Sequence, residues 1–231
     1  MKLTILILVF NEVKTILQAI DDAKKIQVKD KEIVVIDNCS TDGTRRLLEE
    51  MHDASIRVIF QEKNFGAGYS VKVGIKEALG EFLYVHHADL EYDYRSAITM
   101  LDTAERNNYE VVFGSRLADN KYSVVGLIRQ RPEYLATIIA TYLVNRWYNR
   151  NFTDIIGSRL YNTNAVRRIP LSSNGMGAEF EHVSRMCKAG LRIGEIPVAY
   201  KPRANRSEKK IKPYNMLNAL YCLFKIRYFD Y

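Results

Sequence analysis

Runs of nearly consecutive apolar residues recur along the first half of the chain. Five of them, rich in Val, Ile and Phe, occupy residues 3–9, 33–36, 56–60, 82–86 and 111–114. Strands of a parallel sheet are covered on both faces, and they therefore read as continuous apolar runs. The pattern predicts buried strands of a largely parallel sheet.

Apolar residues at helical spacing fill the intervals between these runs. They are Val13, Ile16, Leu17, Ile20 and Ala23 after the first run, and Val71, Gly74, Ile75, Ala78 and Leu79 after the third. Strands that alternate with helices are typical of doubly wound α/β folds. We expect a Rossmann-like α/β fold, a mostly parallel central sheet with flanking helices, whose ligands bind outside the carboxyl ends of the strands.

The second half of the chain is less regular. It predicts a helix over 133–149 with an apolar stripe, a helix over 178–189, a strand over 192–201 and an aromatic helix over 214–231. Residues 202–213 are polar and basic, which predicts a loop. Because no linker or repeat interrupts the 231 residues, we expect a single domain.

Charge is distributed unevenly along the chain. Residues 1–115 hold 14 basic and 19 acidic side chains, whereas residues 116–231 hold 20 and 8, within a net charge of +7. A basic half favours an anionic partner, although a solvated basic face would give the same count. The Lys and Arg residues of 201–212 lack the interleaved aromatics of nucleic-acid binders, so we expect no nucleic acid partner.

Cysteine usage and the apolar runs bear on the compartment. The three cysteines are odd in number and have no metal-ligand spacing, which favours a reducing compartment. No run approaches the roughly 20 apolar residues of a membrane span, and the apolar start is too short for a signal peptide. We expect a cytoplasmic protein.

Polar residues follow each predicted strand. Phe10-Asn11-Glu12 follows the first, Asp37-Asn38-Cys39-Ser40 the second and Asn64-Phe65-Gly66-Ala67-Gly68 the third. A dinucleotide fingerprint needs three glycines after the first strand, so a nicotinamide enzyme is not favoured. A carboxylate such as Asp37 at a strand end suits a base or a ribose, although helix capping explains such residues equally well.

A candidate metal site follows the fourth strand. His87, Asp89 and Glu91 alternate, so on an extended chain they project to one side, and their donor types suit Mn²⁺ or Mg²⁺. A solvated acidic turn is the alternative. Arg116 follows the fifth strand, and a guanidinium beside a metal suits a diphosphate.

Taken in order, these segments resemble a known family. Eight stretches match its motifs: Val9-Phe10-Asn11-Glu12, Asp37-Asn38-Cys39-Ser40-Thr41-Asp42, Asn64-Phe65-Gly66, Ala88-Asp89-Leu90-Glu91-Tyr92-Asp93, Gly114-Ser115-Arg116, Thr153-Asp154, Glu179-Phe180-Glu181, and the segment from Tyr200 to Ile211. The chain resembles the inverting GT-A glycosyltransferases of the large family two, and within them the branch of dolichol-phosphate mannose synthase. His87 departs from the family, which has Asp at the first position of its Asp-x-Asp motif.

The resemblance implies a nucleotide-sugar-binding half (1–115) and a smaller acceptor-side half (116–231). It implies nucleotide contacts by Phe10, Asn11, Glu12, Asp37, Asn64, Gly66, Ala88 and Asp89. It implies metal ligation by Asp89 and Glu91, with His87 at the departing position. Arg129, Arg131, Arg203, Lys209 and Lys210 would bind phosphate or acceptor. Asp154, Arg116, Glu179 and Glu181 are the candidate catalytic residues.

The implied reaction moves a hexose-type sugar from a UDP- or GDP-linked donor, with inversion, onto a polyprenyl phosphate or a glycan. A lipid phosphate needs no general base, whereas a hydroxyl does; Asp154 is then the first candidate, ahead of Glu179 and Glu181.

Arginines and aromatics flank the 133–149 helix, which suits a membrane interface as well as a core. The expected protein is peripheral on the inner face of an anionic membrane, with a homodimer or a small membrane partner. A non-catalytic nucleotide-binding or partner-binding protein with a degenerate metal site is the alternative.

Overall fold

A computed structural model describes residues 1–118, 134–175, 177–203 and 214–229, and of residues 214–219 only the backbone. Its strands are β1 (Leu3–Val9), β2 (Lys31–Asp37), β3 (Ile56–Phe60), β4 (Phe82–His87), β5 (Val111–Ser115), β6 (Ser158–Asn162) and β7 (Ile193–Pro197). Its helices are α1 (Ile16–Lys25), α2 (Thr44–Glu49), α3 (Ala67–Glu77), α4 (Ser96–Asn107), α5 (Tyr134–Tyr148), α6 (Thr163–Arg167), α7 (Ala178–Lys188) and α8 (Tyr214–Tyr228).

The strands form one sheet in the order β3-β2-β1-β4-β6-β5-β7. All neighbouring pairs are parallel except the two that β6 makes with β4 and β5. The predicted α/β fold with a mostly parallel sheet is confirmed. The strand order reverses between β1 and β4, and open α/β sheets bind ligands outside the carboxyl ends of the strands near such a point.

Helices cover both faces of the sheet because each strand buries side chains on both sides. On one face α1, α2 and α4 pack on alternate residues of β1, such as Ile5 and Ile7. On the other face α3, α5, α6, α7 and α8 pack around Leu6 and its neighbours. These two layers hold the loops at the carboxyl ends of β1, β2, β3 and β4. We call this group of loops the carboxyl edge.

The structure corrects three local predictions. Helix α3 ends at Glu77, before Leu79, which is exposed. The predicted strand over 192–201 ends at Pro197, and Tyr200 pairs separately with Tyr92 in an antiparallel bridge. Helix α5 buries mostly small or polar residues and turns much of its predicted apolar stripe outward. Within the described ranges, no helix is long and apolar enough to span a bilayer.

Candidate active site at the carboxyl edge

The loops after β1 and β2 are locked together by short polar side chains. Asn11 has a positive φ of 55°, and its backbone N–H donates to Oγ of Ser40 at 2.9 Å. Its side-chain oxygen accepts from the N–H of Thr41 at 2.7 Å. Asn and Asp tolerate the left-handed conformation better than most other residues, which explains Asn at this bend. Asn11, which was predicted to bind nucleotide, therefore also joins the loops after β1 and β2.

Asp37 lies at the carboxyl end of β2 and is fully buried. Its carboxylate accepts from the N–H of Ser40 at 3.1 Å and lies 3.6 Å from Nε of Arg45. Both partners belong to the protein, so the contact of Asp37 with a nucleotide stays a prediction.

Asn38 and Asn64 join the loops after β2 and β3. Nδ2 of Asn38 donates to Oδ1 of Asn64 at 3.0 Å, and the same oxygen accepts from the N–H of Gly66 at 3.0 Å. Oδ1 of Asn38 accepts from the N–H of Phe65. Asn64 and Gly66 were predicted from the sequence, but Asn38 was not, although it stands beside Asp37 at the strand end.

Gly66 lies where two backbones approach closely. Its φ is +93°, and an added Cβ would lie 2.4 Å from the carbonyl oxygen of Asn174. A Cβ on Gly68 would meet that of Ala178 at 2.2 Å. The glycines therefore let the segment after β3 pack directly on the start of α7.

The loop after β4 carries the predicted metal ligands. Ala88 is buried, while His87 and Asp89 are partly exposed. Oδ1 of Asp89 accepts from the N–H of Glu91 at 3.1 Å, and His87 stands 5.6 Å from the ring of Tyr92 between centroids. Within the described residues, no three His, Cys, Asp or Glu side chains are grouped as metal ligands.

Glu91 is engaged by the segment that follows β7. Its Oε2 accepts from the hydroxyl of Tyr200 at 2.7 Å, and its Oε1 accepts from the N–H of Arg203 at 2.9 Å. Burial raises the pKa of Tyr200, so its hydroxyl stays protonated and can donate. The predicted set of three ligands is thus not assembled, because the carboxylate of Glu91 holds residues 200–203 against the β4 loop.

Arg203 bridges two loops of the carboxyl edge. Its guanidinium donates to Oε2 of Glu12 at 2.5 Å and to the carbonyl of Asp89 at 3.3 Å. Phe10 and Glu12 lie in the β1 loop, so Arg203 links that loop to the β4 loop. Arg203, which was predicted to bind phosphate, therefore lies at the carboxyl edge, and its contact with a phosphate stays a prediction.

Arg116 and Asp154 form a buried ion pair. Nε and Nη2 of Arg116 lie 2.6 and 3.0 Å from the two oxygens of Asp154, and the side chains are 11% and 0% exposed. The rings of Tyr134 and Tyr200 flank the guanidinium, with centroids at 4.9 and 5.4 Å. Although burial alone would raise the pKa of Asp154, Arg116 outweighs burial and lowers it. This geometry favours a structural role over the predicted catalytic roles, which stay predictions.

The two predicted carboxylates of α7 differ in exposure. Glu181 is buried and accepts from both N–H groups of Ser172 and Ser173, from the Ser172 hydroxyl and from Arg185. Burial opposes its ionisation, but these hydrogen bonds lower its pKa to about 2. Glu179 is 35% exposed and pairs with Arg159 at 2.7 Å. Glu181 therefore holds the segment before α7, whereas Glu179 keeps access to solvent.

Four predicted phosphate-binding residues, Arg129, Arg131, Lys209 and Lys210, lie outside the described residues.

Two side chains of the β4 loop present donor atoms that suit a divalent ion. Asp89 offers a carboxylate oxygen, Oδ2, to which no described residue donates, and His87 offers a ring nitrogen. A carboxylate with an imidazole suits Mn²⁺, and substrate phosphates can complete its coordination. The residues fit a metal held by Asp89 and His87, without Glu91.

Comparisons with known proteins identify the class. The profile of glycosyl transferase family 2 matches residues 4–170, which include β1 to β6 and the carboxyl edge. The chain belongs to glycosyl transferase family 2.

Three relatives resemble most of the chain. Glycosyltransferase AglJ of Haloferax volcanii is 27% identical over 210 residues, which are 88% of this chain and 64% of AglJ. An uncharacterised protein of Methanocaldococcus jannaschii is 30% identical over 84% of this chain and 87% of its own length. The low-salt glycan biosynthesis hexosyltransferase Agl6 of H. volcanii is 24% identical over 79% of this chain and 43% of its own. The chain thus spans less than two thirds of the length of AglJ.

Solved structures share the fold at low identity. Glucosyl-3-phosphoglycerate synthase of Mycobacterium tuberculosis with UDP superposes with a TM-score of 0.70 at 17% identity, over 97% of this chain and 79% of that one. Its complex with Mn²⁺, UDP and glucosyl-3-phosphoglycerate gives 0.68 at 15%, over 98% and 80%. TarS 1–349 of S. aureus with UDP gives 0.64 at 18%, over 96% and 64%. These structures share the GT-A fold with this chain.

Proposed function

We propose that the chain is a divalent-metal-dependent, inverting hexosyltransferase that binds a nucleoside-diphosphate sugar at the carboxyl edge. The observation that supports it most is the convergence there of polar residues from four loops. Asn11, Asn64 and Asp89 stand at the ends of β1, β3 and β4, and Arg203 joins two of these loops. A UDP-linked donor is the first candidate, because the M. tuberculosis and S. aureus neighbours were crystallised with UDP, and a GDP-linked donor is the second.

The proposed metal ligands are Asp89 and His87. Mn²⁺ is the first candidate and Mg²⁺ the second, because imidazole suits Mn²⁺ better and one neighbour was crystallised with Mn²⁺. When bound, such an ion neutralises the leaving diphosphate. Arg203, which lies beside the same loop, would add a second positive charge to that group.

The acceptor follows from the chemistry of the nucleophile. A polyprenyl phosphate already carries an anionic oxygen, whereas a glycan hydroxyl must lose a proton to a carboxylate. Of the three carboxylates predicted for that role, Glu179 is the best placed, because those of Asp154 and Glu181 are buried in protein hydrogen bonds. The resemblance of the sequence motifs to the branch of dolichol-phosphate mannose synthase favours the lipid acceptor, and the likeness to the glycan biosynthesis hexosyltransferase Agl6 favours the glycan.

Helices α5 and α8 support peripheral membrane binding. Tyr142 and Phe229 are 66% and 78% exposed, and Trp147 of α5 packs edge-on against Phe224 of α8 with centroids 5.0 Å apart. Basic residues accompany them, such as Arg227 in the last turn of α8. Exposed aromatics beside cations suit the headgroup region of an anionic bilayer.

Nucleoside-diphosphate release tests the activity. The purified chain would be incubated with UDP- and GDP-sugars, Mn²⁺ or Mg²⁺, and polyprenyl phosphate or a glycan. We expect release with one donor, its loss with EDTA, and a loss of at least about a hundredfold in Asp89→Asn. Asp102→Asn, an exposed carboxylate of α4, is the matched control and should leave the rate unchanged. Binding of UDP without turnover on any acceptor would instead support a non-catalytic binding protein.

Sedimentation with vesicles tests the membrane interaction. We expect binding to anionic vesicles at low salt, weakening at high salt, and loss in a Tyr142→Ser/Phe229→Ser variant. Leu79→Ser, which removes an equally exposed apolar residue next to α3, is the control. A wild-type chain that stays in the supernatant would contradict the membrane proposal and leave the enzymatic one standing.

A further inference from the structure

Arg159 is a charged residue in the interior of the sheet. It lies on β6, where it pairs with Val85 of β4 and Phe113 of β5, and it is 3% exposed. Its Nη2 donates to the carbonyl of Ile155 at 2.7 Å, and the guanidinium stands over the ring of Phe113 at 5.5 Å. A buried guanidinium carries a large desolvation cost, which a carboxylate partner must offset.

That partner is Glu179, in the first turn of α7. Nη2 of Arg159 lies 2.7 Å from Oε2 of Glu179, and Nη1 also donates to the Glu179 carbonyl at 3.4 Å. No described residue donates to Oε1. The neighbouring Ala178 and Phe180 are buried, whereas the side chain of Glu179 is 35% exposed although one of its oxygens is held by Arg159.

The start of α7 adjoins the loop after β3. Gly68 packs against Ala178, and Gly66 packs on the backbone of Asn174. These contacts hold the start of α7, which carries Glu179, against the loop after β3 at the carboxyl edge. An ion pair that only stabilised the core would need no exposed oxygen. Well-packed apolar residues in place of such a pair often stabilise the fold as much.

We propose that Arg159 is a positioning residue that fixes the carboxylate of Glu179 so that its second oxygen accepts a hydrogen bond from a sugar hydroxyl. The hydroxyl belongs either to the sugar of the donor or to the acceptor. This inference rests on the proposed function, because it assigns a substrate group to the same site.

Four variants test it: Glu179→Gln, Arg159→Lys, Arg159→Met and, as a control, Arg167→Met. Arg167 donates to backbone carbonyls at the end of α3, as Arg159 does to that of Ile155, but it lies away from the carboxyl edge. For each, calorimetry would give the affinities of the nucleoside diphosphate and of the intact donor, kinetics would give kcat and KM, and thermal melting would report folding.

We expect Glu179→Gln and Arg159→Met to lose about tenfold or more in kcat/KM, with the affinity for the nucleoside diphosphate unchanged, because a hydrogen bond from the substrate to a charged group is weakened. Arg159→Lys should recover part of the loss. If the donor sugar supplies the hydroxyl, the affinity for the intact donor falls as well; if the acceptor supplies it, only kcat or acceptor KM changes. Both results support the proposal.

A folded Glu179→Gln with wild-type kinetics would overturn it. So would an Arg159→Met that loses nucleotide affinity, activity and melting temperature together while Glu179→Gln is unaffected, since the pair would then only stabilise the fold. If Arg159→Met does not fold, Glu179→Gln and Arg159→Lys still decide. A wild-type chain without turnover would contradict the proposed function instead. The binding data would then decide on the positioning role. It would be overturned if Glu179→Gln lost affinity for the donor and for the nucleoside diphosphate equally, or lost affinity for neither.

Discussion

The guanidinium of Arg203 donates to the carboxylate of Glu12 at 2.5 Å, although 191 positions separate the two residues. Arg203 therefore lies against the loop after β1 and beside the loop that carries Asp89. Because the bond crosses between the two halves of the sequence, nucleotide affinity should depend on both halves.

Replacing Arg203 should weaken nucleotide binding. In Arg203→Met we expect the affinity for the nucleoside diphosphate to fall about tenfold, because the proposed charge-assisted contact to phosphate and the link between two loops are both lost. Calorimetric titration measures this directly. Arg106→Met removes an exposed guanidinium from α4 and should leave the affinity unchanged; equal affinities in the two variants would contradict the prediction.

Breaking the Arg116–Asp154 pair should destabilise the fold. In Asp154→Asn we expect the free energy of unfolding to fall by about 3 kcal/mol, because the buried guanidinium loses its counter-charge. Urea unfolding measures the change. The double variant Arg116→Met/Asp154→Leu removes both charges and should recover most of the stability. A single variant as stable as the wild type would show that the pair is not needed.

Buried histidines should make stability depend on pH. His86 is 1% exposed, and burial lowers its pKa from 6.5 to about 4; His182 behaves in the same way. Unfolding therefore takes up protons below pH 6.5, and each histidine should reduce the free energy of unfolding by about 1.4 kcal/mol per pH unit between pH 6.5 and 4. Stability is complete above pH 6.5 and is lost as the pH falls.

The measurement is urea unfolding at several pH values. His86→Leu should reduce the dependence of the unfolding free energy on pH by the contribution of one histidine. His52→Leu, at an exposed position, should leave this slope unchanged. A His86→Leu variant with the full wild-type slope would show that His86 is charged in the folded state.

Adding a methyl group to Gly66 should disturb the edge. Gly66→Ala combines a φ of +93° with a contact of 2.4 Å to a backbone oxygen, so we expect a loss of about 2 kcal/mol or more in the free energy of unfolding together with weaker donor binding. Gly175→Ala, with open space around its Cβ, is the matched control. Similar unfolding free energies for the two variants would mean that the segment around Asn174 moves aside easily.

Much of the fold is readable in the local pattern. The apolar runs predicted β1 to β5, and the polar residues after them predicted where Asn11, Asn64 and Asp89 would lie. Two other residues at or near the carboxyl edge, Asn38 and Arg159, had weaker signals in the sequence. Asn38 stands in a polar stretch that helix capping explains equally well, and Arg159 lies on β6, a strand that the apolar runs did not predict, so neither stood out.

The sequence by itself determined the α/β architecture and the carboxyl edge, because periodicity and the order of strands and turns are local properties. Only the tertiary structure decided the partner of each charge. Arg116 meets Asp154, Glu91 meets Tyr200 and Glu181 meets Ser172, so four predicted catalytic or metal-binding groups are engaged within the protein. Such pairings depend on which loops the sheet brings together and on the burial that makes an unpaired charge costly, and neither is encoded in spacing along the chain.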